Sequence, residues 1–290
     1  MNLNILVLAK QVPDTRNVGK DAMTAEGTVN RAALPAIFNP EDLNALEQAL
    51  RLKDQILGTT VTVLTMGPFR AAEIIREALY RGADNGYVLS DRAFAGSDTL
   101  ATSYALSCAI RNLKNLDLII CGRQAIDGDT AQVGPQVAEK LGMNQITYAE
   151  EIQGVKDGMI RVKRRVEKGV EILEGPLPML ITVNGTAAPC RPRNAKLLMK
   201  YKYARIPNEL QASNEDYTTL CNSRDFLQIG EWSVNDIVCE PSELGLTGSP
   251  TKVKKVENVV FQTKESKALT ASDNDIEGLI QELISNHTIG

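Results

Sequence analysis

Ile119-Ile-Cys-Gly-Arg-Gln-Ala-Ile-Asp-Gly-Asp-Thr-Ala-Gln-Val-Gly-Pro135 is the stretch from which the fold of this chain is read. With Leu116 and Leu118, Ile119 and Ile120 make a short, nearly continuous apolar run, the pattern of a strand buried on both faces, and Gly122 ends it. Beyond the loop, Val133, Val137, Ala138 and Leu141 recur at helical spacing. Between strand and helix, Gly128 is free to take positive φ, and Asp127, Asp129 and Thr130 are candidate N-caps. Such a helix start points unpaired N–H groups into the crevice above the strand end, where a phosphate is stabilised. An ordinary βα turn fits the spacing equally well. Neither GxGxxG nor GxxxxGK[ST] occurs here, which weakens ordinary dinucleotide and nucleoside-triphosphatase readings.

The same alternation runs through the first half of the chain. Leu3 to Ala9 reads as a buried strand, Lys10 to Val18 as its exit loop with Pro13 excluding further pairing, and Asp21 to Arg31 as a hairpin around Glu26-Gly27. Asn39-Pro40 is a helix start, Asn as N-cap and Pro at the first position, with Glu41 and Asp42 near the positive dipole end. Leu43, Leu46, Leu50 and Leu57 give its apolar stripe, and Gly58 stops it. Thr60 to Met66 is the next strand; Gly67-Pro68 leads into a helix carrying Ala72, Ile75, Ala78 and Leu79, closed by Gly82. Tyr87 to Ser90 is a short strand, and the polar loop Ser90 to Thr99 precedes a helix over Leu100–Leu113.

After the central stretch, Gln145 to Gln153, Met159 to Glu167, Gly169 to Leu173 and Met179 to Val183 are β-rich, with turns at Asp157-Gly158 and Lys168-Gly169. The pattern predicts a doubly wound α/β domain whose mostly parallel sheet gains antiparallel strands at one edge. Asn184 to Lys200 is a Gly/Pro-punctuated loop leading to a short helix. From Tyr201 the chain becomes more polar, with no long periodic segment until Asp273 to Ile284, where Ile276, Leu279, Ile280, Leu283 and Ile284 form one stripe. Two parts are expected: residues 1–200 as the nucleotide-binding domain, and residues 201–290 as an arm wrapping another subunit.

The 290 residues, 43 per cent of them hydrophobic, can bury a full core. A formal net charge of -4 gives no basis for sequence-independent nucleic-acid binding. The basic run Arg161, Lys163, Arg164 and Arg165 lies along an expected strand with Glu167 close behind, and reads as a solvated face. Five widely spaced cysteines without CxxC spacing indicate neither a disulfide framework nor a metal or iron–sulfur site. The first apolar run is too short to span a membrane and has no basic residue before it, so a cytoplasmic protein without membrane insertion is expected. No nucleophile–base pair or carboxylate dyad is apparent, and His287 sits near a fraying end; no catalytic side chain is expected, and any chemistry belongs to a cofactor.

Gly122-Arg-Gln-Ala-Ile-Asp-Gly-Asp-Thr-Ala-Gln-Val-Gly-Pro135 closely resembles the nucleotide-binding signature of the β subunit of electron-transferring flavoproteins. Val7-Leu-Ala-Lys-Gln-Val-Pro-Asp-Thr15, Asn39-Pro40 and Gly248-Ser-Pro-Thr251 match the same family in the same order, so the resemblance spans most of the chain. It implies a nucleotide held by Gly122, Arg123, Gln124, Ala125, Ile126, Asp127, Gly128, Asp129, Thr130, Ala131, Gln132, Val133 and Gly134. It also implies contacts from Ala9, Asn39, Pro40 and Met66; on the residues alone, Ala9 could equally be a plain strand terminus and Met66 simple packing.

Ser90-Asp-Arg-Ala-Phe-Ala-Gly-Ser-Asp-Thr99 resembles the loop of those β subunits that hold a full FAD and bifurcate electrons, where ordinary members keep AMP. This implies roles at the flavin or diphosphate for Arg92, Phe94, Ser97 and Thr99, although Arg92 could also be a surface charge. The resemblance further implies an alpha subunit carrying a second FAD, NADH as hydride donor, an acyl-CoA-type or hydroxyacid dehydrogenase, and ferredoxin or flavodoxin as low-potential acceptor. The family's docking loop falls at 184–200. There the usual Glu-Pro-Arg-Tyr is replaced by Pro189-Cys-Arg-Pro192, so docking is carried over to Ala195, Leu197 and Leu198 beside the alternative of a solvated connection. Two other readings stay open: a housekeeping carrier with structural AMP, and a stand-alone adenine-nucleotide-binding regulator.

Overall fold

Strand β1 (Asn4–Leu8) alternates its side chains between two apolar layers. Ile5 and Val7 point into a core filled by Leu46, Ala49 and Leu50 of helix α1 (Pro40–Gln55) and Ile75, Ala78 and Leu79 of α2 (Ala72–Arg81). Leu6 and Leu8 point the other way, onto Ala105 and Ala109 of α3 (Thr99–Ile110) and Val137 and Ala138 of α4 (Val133–Leu141). Both faces are therefore covered, as a parallel sheet requires, and burying each leucine or isoleucine contributes roughly 1.5–3 kcal/mol. The computed structural model describes residues 2–14, 35–211, 215–251, 266, 268–286 and 288–289. The hairpin expected at Asp21–Arg31 and His287 lie outside them.

Strands β4 (Thr60–Met66) and β5 (Asn85–Leu89) extend the sheet in parallel on one side of β1, and β6 (Leu118–Gly122) pairs in parallel with its other side. The order of connection reverses between β1 and β6. In open α/β sheets the crevice at such a reversal, outside the carboxyl ends of the strands, is where ligands bind. Beyond β6 lie β10 (Met179–Val183), β7 (Asn144–Lys156), β8 (Met159–Val166) and β9 (Gly169–Pro176), giving the doubly wound, mostly parallel sheet with an antiparallel edge that the sequence predicts. Within this sheet, among the described residues, the antiparallel pairings are β7 with β8 and β8 with β9; β10 is parallel to both β6 and β7. On β8, Arg161, Lys163, Arg164 and Arg165 form ion pairs with Glu174, Glu150 and Glu171, so the basic run is neutralised locally.

Several local expectations are corrected. Helix α1 ends at Gln55 and Ile56 is already extended, so Leu57 falls past the stripe and is 94% exposed. The exit of β1 does pair: Gln11–Pro13 (β2) runs antiparallel to Ala36–Phe38 (β3), because a two-stranded ribbon tolerates a proline that gives no N–H.

The largest correction concerns residues after 200. The first compact unit runs to Lys255, not to 200. Ala204, Ile206, Leu227 and Ile229 are buried in the same core as β1 and α2, and Gly230–Trp232 forms a ninth strand, β11, parallel to β5. Arg76 of α2 holds this return by donating to Glu209 at 2.8 Å and to the Ala204 carbonyl at 3.2 Å. The second unit, Val256–Gly290, contains the terminal helix Asp273–Ser285, capped by Ser272, with Ile276, Leu279, Ile280 and Ile284 exposed along it. Among the described residues no helix is long and apolar enough to cross a membrane.

Candidate functional site

A cavity of about 400 Å³ opens at the carboxyl ends of β1, β4 and β6. Leu8, Ala9 and Lys10 form its floor on the β1 side, Leu64 and Met66 on the β4 side, and Cys121 and Gly122 at the β6 end. One wall is the loop Phe94–Thr99 with the start of α3; the other is the loop from Arg123 to Gln132 with the start of α4. Phe94 is buried, Ser97 donates to the Phe94 carbonyl at 2.7 Å, and Thr99 reaches across to Gln132 at 3.1 Å.

The first half of the 123–132 loop is braced from α1. Glu41 accepts the Gln124 amide at 3.0 Å and pairs with the Arg123 guanidinium at 3.0 Å. Asn39 accepts the Ile126 amide at 3.2 Å and donates to the Gln124 carbonyl at 2.9 Å. Asp42 accepts two amides, Lys10 at 2.8 Å and Gly122 at 2.9 Å, and so ties the ends of β1 and β6 together. Asn39 thus starts α1 as expected, but its side chain makes no cap bond and is spent on the loop. Glu41 and Asp42 are buried, and the dipole reading of the sequence missed their bracing role. The available signal was two acids directly behind Asn-Pro, ahead of an apolar stripe.

The second half of the loop is different. Among the described residues, no protein oxygen within hydrogen-bonding reach accepts the amides of Thr130, Ala131, Gln132, Val133 or Gly134. The caps expected from Asp127, Asp129 or Thr130 are absent, because α4 starts later, with Gln132 at its N-cap position and no side-chain cap bond. Positive φ falls on Asp129 (49°) and Ala131 (53°), not on Gly128. Non-glycine residues in this conformation cost about 1–2 kcal/mol each, a strain that marks functional loops. Gly134 is needed for packing: a Cβ there would lie 2.7 Å from Thr182 and 2.9 Å from the Cys121 sulfur, so the helix start can approach the sheet. Unpaired amides at a helix start make an anion cradle.

Of the remaining expected residues, Asn39, Pro40, Ile126 and Asp127 are not part of the cavity lining. Asp127 forms an ion pair with Lys10 at 2.8 Å. Arg92 is exposed and outside the lining. Burial pushes the Asp42 carboxyl up to about 7 against the pull of its two amide bonds, and burial also raises the Cys121 thiol far above its ordinary range. A buried neutral thiol is neither nucleophile nor ligand at working pH. Among the described residues the lining carries no nucleophile–base pair.

Residues 26–206 match the electron transfer flavoprotein domain. The chain belongs to the electron transfer flavoprotein family. It is 41% identical over 288 residues to the electron transfer flavoprotein subunit beta of Thermoanaerobacterium thermosaccharolyticum, covering 99% of this chain and 100% of that one. It is 40% identical over 288 residues, with the same coverage, to the caffeyl-CoA reductase–Etf complex subunit CarD of Acetobacterium woodii. To the acryloyl-CoA reductase electron transfer subunit gamma of Anaerotignum propionicum it is 41% identical over 291 residues, again 99% and 100%.

In this electron transfer flavoprotein chain, the 184–200 loop is pinned rather than loose. Arg191 donates its backbone and side-chain N–H groups to Glu47 at 3.0–3.2 Å and pairs with Asp54 at 2.8 Å, while Arg193 pairs with Glu77. Asn194 caps the short helix α5 (Ala195–Tyr201). Ala195 is exposed there, Leu197 and Leu198 are half-buried, and Met199 is the most exposed apolar side chain on the helix, at 68%.

Proposed function

We propose that this chain is the FAD-binding β subunit of a bifurcating electron transfer flavoprotein, cytoplasmic and paired with an alpha subunit that carries a second FAD. The observation that carries the reading is one continuous cavity. It joins the strand ends at Ala9 and Met66 to the acceptor-free amides of Thr130–Gly134 and then to the Phe94–Thr99 wall. The residues fit an adenine dinucleotide: the amides cradle an anionic diphosphate, Asn39 and Glu41 hold the cradle in shape, and Phe94 offers an apolar wall. A wall built by the second loop supports a guest longer than AMP.

When bound, FAD would supply the redox chemistry, taking hydride from NADH and dividing its electrons between ferredoxin or flavodoxin and, through the alpha-subunit flavin, an acyl-CoA-type or hydroxyacid dehydrogenase. The names of the reductase-complex relatives support a partner of that class. The chain's own residues bind, orient and exclude water. The pinned loop, with Ala195, Leu197 and Leu198, would dock the dehydrogenase, and the C-terminal unit would clasp the alpha subunit. Acid extraction of the purified heterodimer tests this. Two FAD per complex support it; one FAD with AMP replaces it with the housekeeping carrier. A colourless chain that forms no tight complex with an alpha subunit leaves the stand-alone regulator.

A further inference from the structure

Asp98 stands where the nucleotide cavity meets a segment that arrives from the far end of the unit. Its Oδ1 accepts the amides of Leu100 and Ala101, both at 3.0 Å, and so caps α3. Its Oδ2 accepts the Thr251 amide at 3.1 Å and hydroxyl at 2.6 Å, and its own amide donates to the Ser249 hydroxyl at 2.9 Å. Its carbonyl accepts the Thr102 amide at 2.9 Å. Every polar group of Asp98 is therefore committed, half to the helix start and half to Ser249 and Thr251.

The incoming segment is shaped for this contact. Gly245 has φ +56°, and a Cβ there would lie 2.3 Å from the Ala93 carbonyl oxygen. A Cβ on Gly248 would lie 2.0 Å from the Glu243 carbonyl carbon, and one on Gly96 would lie 2.5 Å from Leu246. Ser249 is 4% exposed and donates to the Gly245 carbonyl at 2.6 Å. Gly245 thus lets backbone meet backbone between the two loops, Gly96 leaves room for the Leu246 side chain, and Gly248 lets the incoming segment fold tightly on itself. Burial pulls the Asp98 carboxyl upward, but the bonds from Thr251, Ala101 and Leu100 outweigh it and hold it below its ordinary value, so it stays ionised.

We propose that Ser249 and Thr251 are positioning residues of the nucleotide site, acting through Asp98 to hold the Phe94–Thr99 wall against the bound nucleotide. This rests on the reading of the cavity as an adenine-nucleotide site. Removing the Thr251 hydroxyl leaves the α3 cap intact but takes the shorter of the two Thr251 bonds from Oδ2, leaving only the amide at 3.1 Å, so the wall opens more often and the nucleotide leaves faster.

The test uses the heterodimer with its alpha subunit, loaded with AMP or FAD, and follows nucleotide release after rapid desalting. T251V and S249A release nucleotide on the order of tenfold faster, the scale of losing a hydrogen bond to a charged group. T251S retains nucleotide like the wild type, as does T247A, which alters an exposed neighbour outside the contact. The nucleotide-stripped T251V complex stays folded, its melting temperature lowered by only a few degrees, the scale of one hydrogen bond. Unchanged release from both T251V and S249A overturns the proposal, and so does equal acceleration by T247A or failure of T251S to restore retention. If the wild type carries AMP in place of FAD and T251V speeds AMP release, the positioning role stands while the bifurcating reading falls. A wild-type complex without any adenine nucleotide overturns both.

Discussion

Gly122 lies against Asp42: its amide donates to the Asp42 Oδ1 at 2.9 Å, and a Cβ on Gly122 would sit 2.5 Å from the same oxygen and 2.8 Å from the Asp42 amide nitrogen. The end of β6 can therefore reach the start of α1 only as glycine. In G122A the obstacle includes backbone of a helix start, which cannot swing aside. The expected loss is about 1–3 kcal/mol in urea unfolding, the usual range for overpacking. Nucleotide content falls with it, because the same contact aims the 123–132 loop. Full stability with full nucleotide content in G122A would show that β6 and α1 are not held together in this way.

Asp42 also makes the site pH-sensitive. Its folded pKa of about 7 lies above its ordinary 3.8, so its contribution is fully present below the lower value and is lost as pH rises through about 7. A gap of that size corresponds to a cost on the order of 4 kcal/mol above neutrality. Ionisation also places a negative charge beside Glu41, with the Arg123–Glu41 and Lys10–Asp127 pairs nearby, at the cavity proposed to hold the nucleotide. Wild-type stability should decline from about pH 4 to pH 7 and level off above, while FAD affinity should fall as the carboxyl ionises around pH 7. D42N should be less stable overall, since its amide group must face one of two N–H donors, yet its profile should be flatter. Parallel profiles for the two proteins across that window would refute the assignment.

How much of this was legible follows from how local each cause is. The strand Leu118–Gly122 and the helix after it show in the sequence because burial on two faces and on one face leaves different periodicities. β11 does not show, being three residues long and fixed by remote contacts such as Tyr87 stacked on Trp232 at 4.2 Å. For the same reason the boundary expected at residue 200 misplaces Ala204, Ile206, Leu227 and Ile229, whose partners lie more than a hundred residues upstream. In the site, Asn39 was legible as a helix start. Its bonds to Gln124 and Ile126 were not, because they depend on tertiary approach. Gly128 was the natural residue for positive φ, but the loop imposes that conformation on Asp129 and Ala131 instead.

The 184–200 loop yields a prediction of opposite pH sign. Burial raises the Glu47 carboxyl, but the Arg191 and Arg51 contacts outweigh it and hold it below its ordinary 4.5. Its contribution is thus present above 4.5 and lost as pH falls through the lowered folded value. R191A leaves Glu47 buried with Arg51 alone, at a cost of about 1–3 kcal/mol at pH 7. Its urea midpoint should then fall less steeply in acid than the wild type's. Electron transfer to the dehydrogenase should weaken mainly through a higher apparent KM for the dehydrogenase. An unchanged KM would separate the loop from docking.

Ala131 tests whether strain in the cradle serves binding. With φ at 53° an alanine costs about 1–2 kcal/mol, whereas glycine adopts the conformation freely at an entropic cost of about 0.5–1 kcal/mol. A131G should therefore leave the melting temperature of the nucleotide-free protein unchanged or slightly higher. Its loop, however, samples conformations in which the amides of Thr130 to Gly134 no longer converge, so ordering falls to the ligand. Nucleotide affinity should drop about two- to fivefold, corresponding to that cost of about 0.5–1 kcal/mol. Calorimetry should show this as a more unfavourable binding entropy. A131G binding nucleotide as tightly as the wild type would mean that the strained turn contributes nothing to presenting the amides.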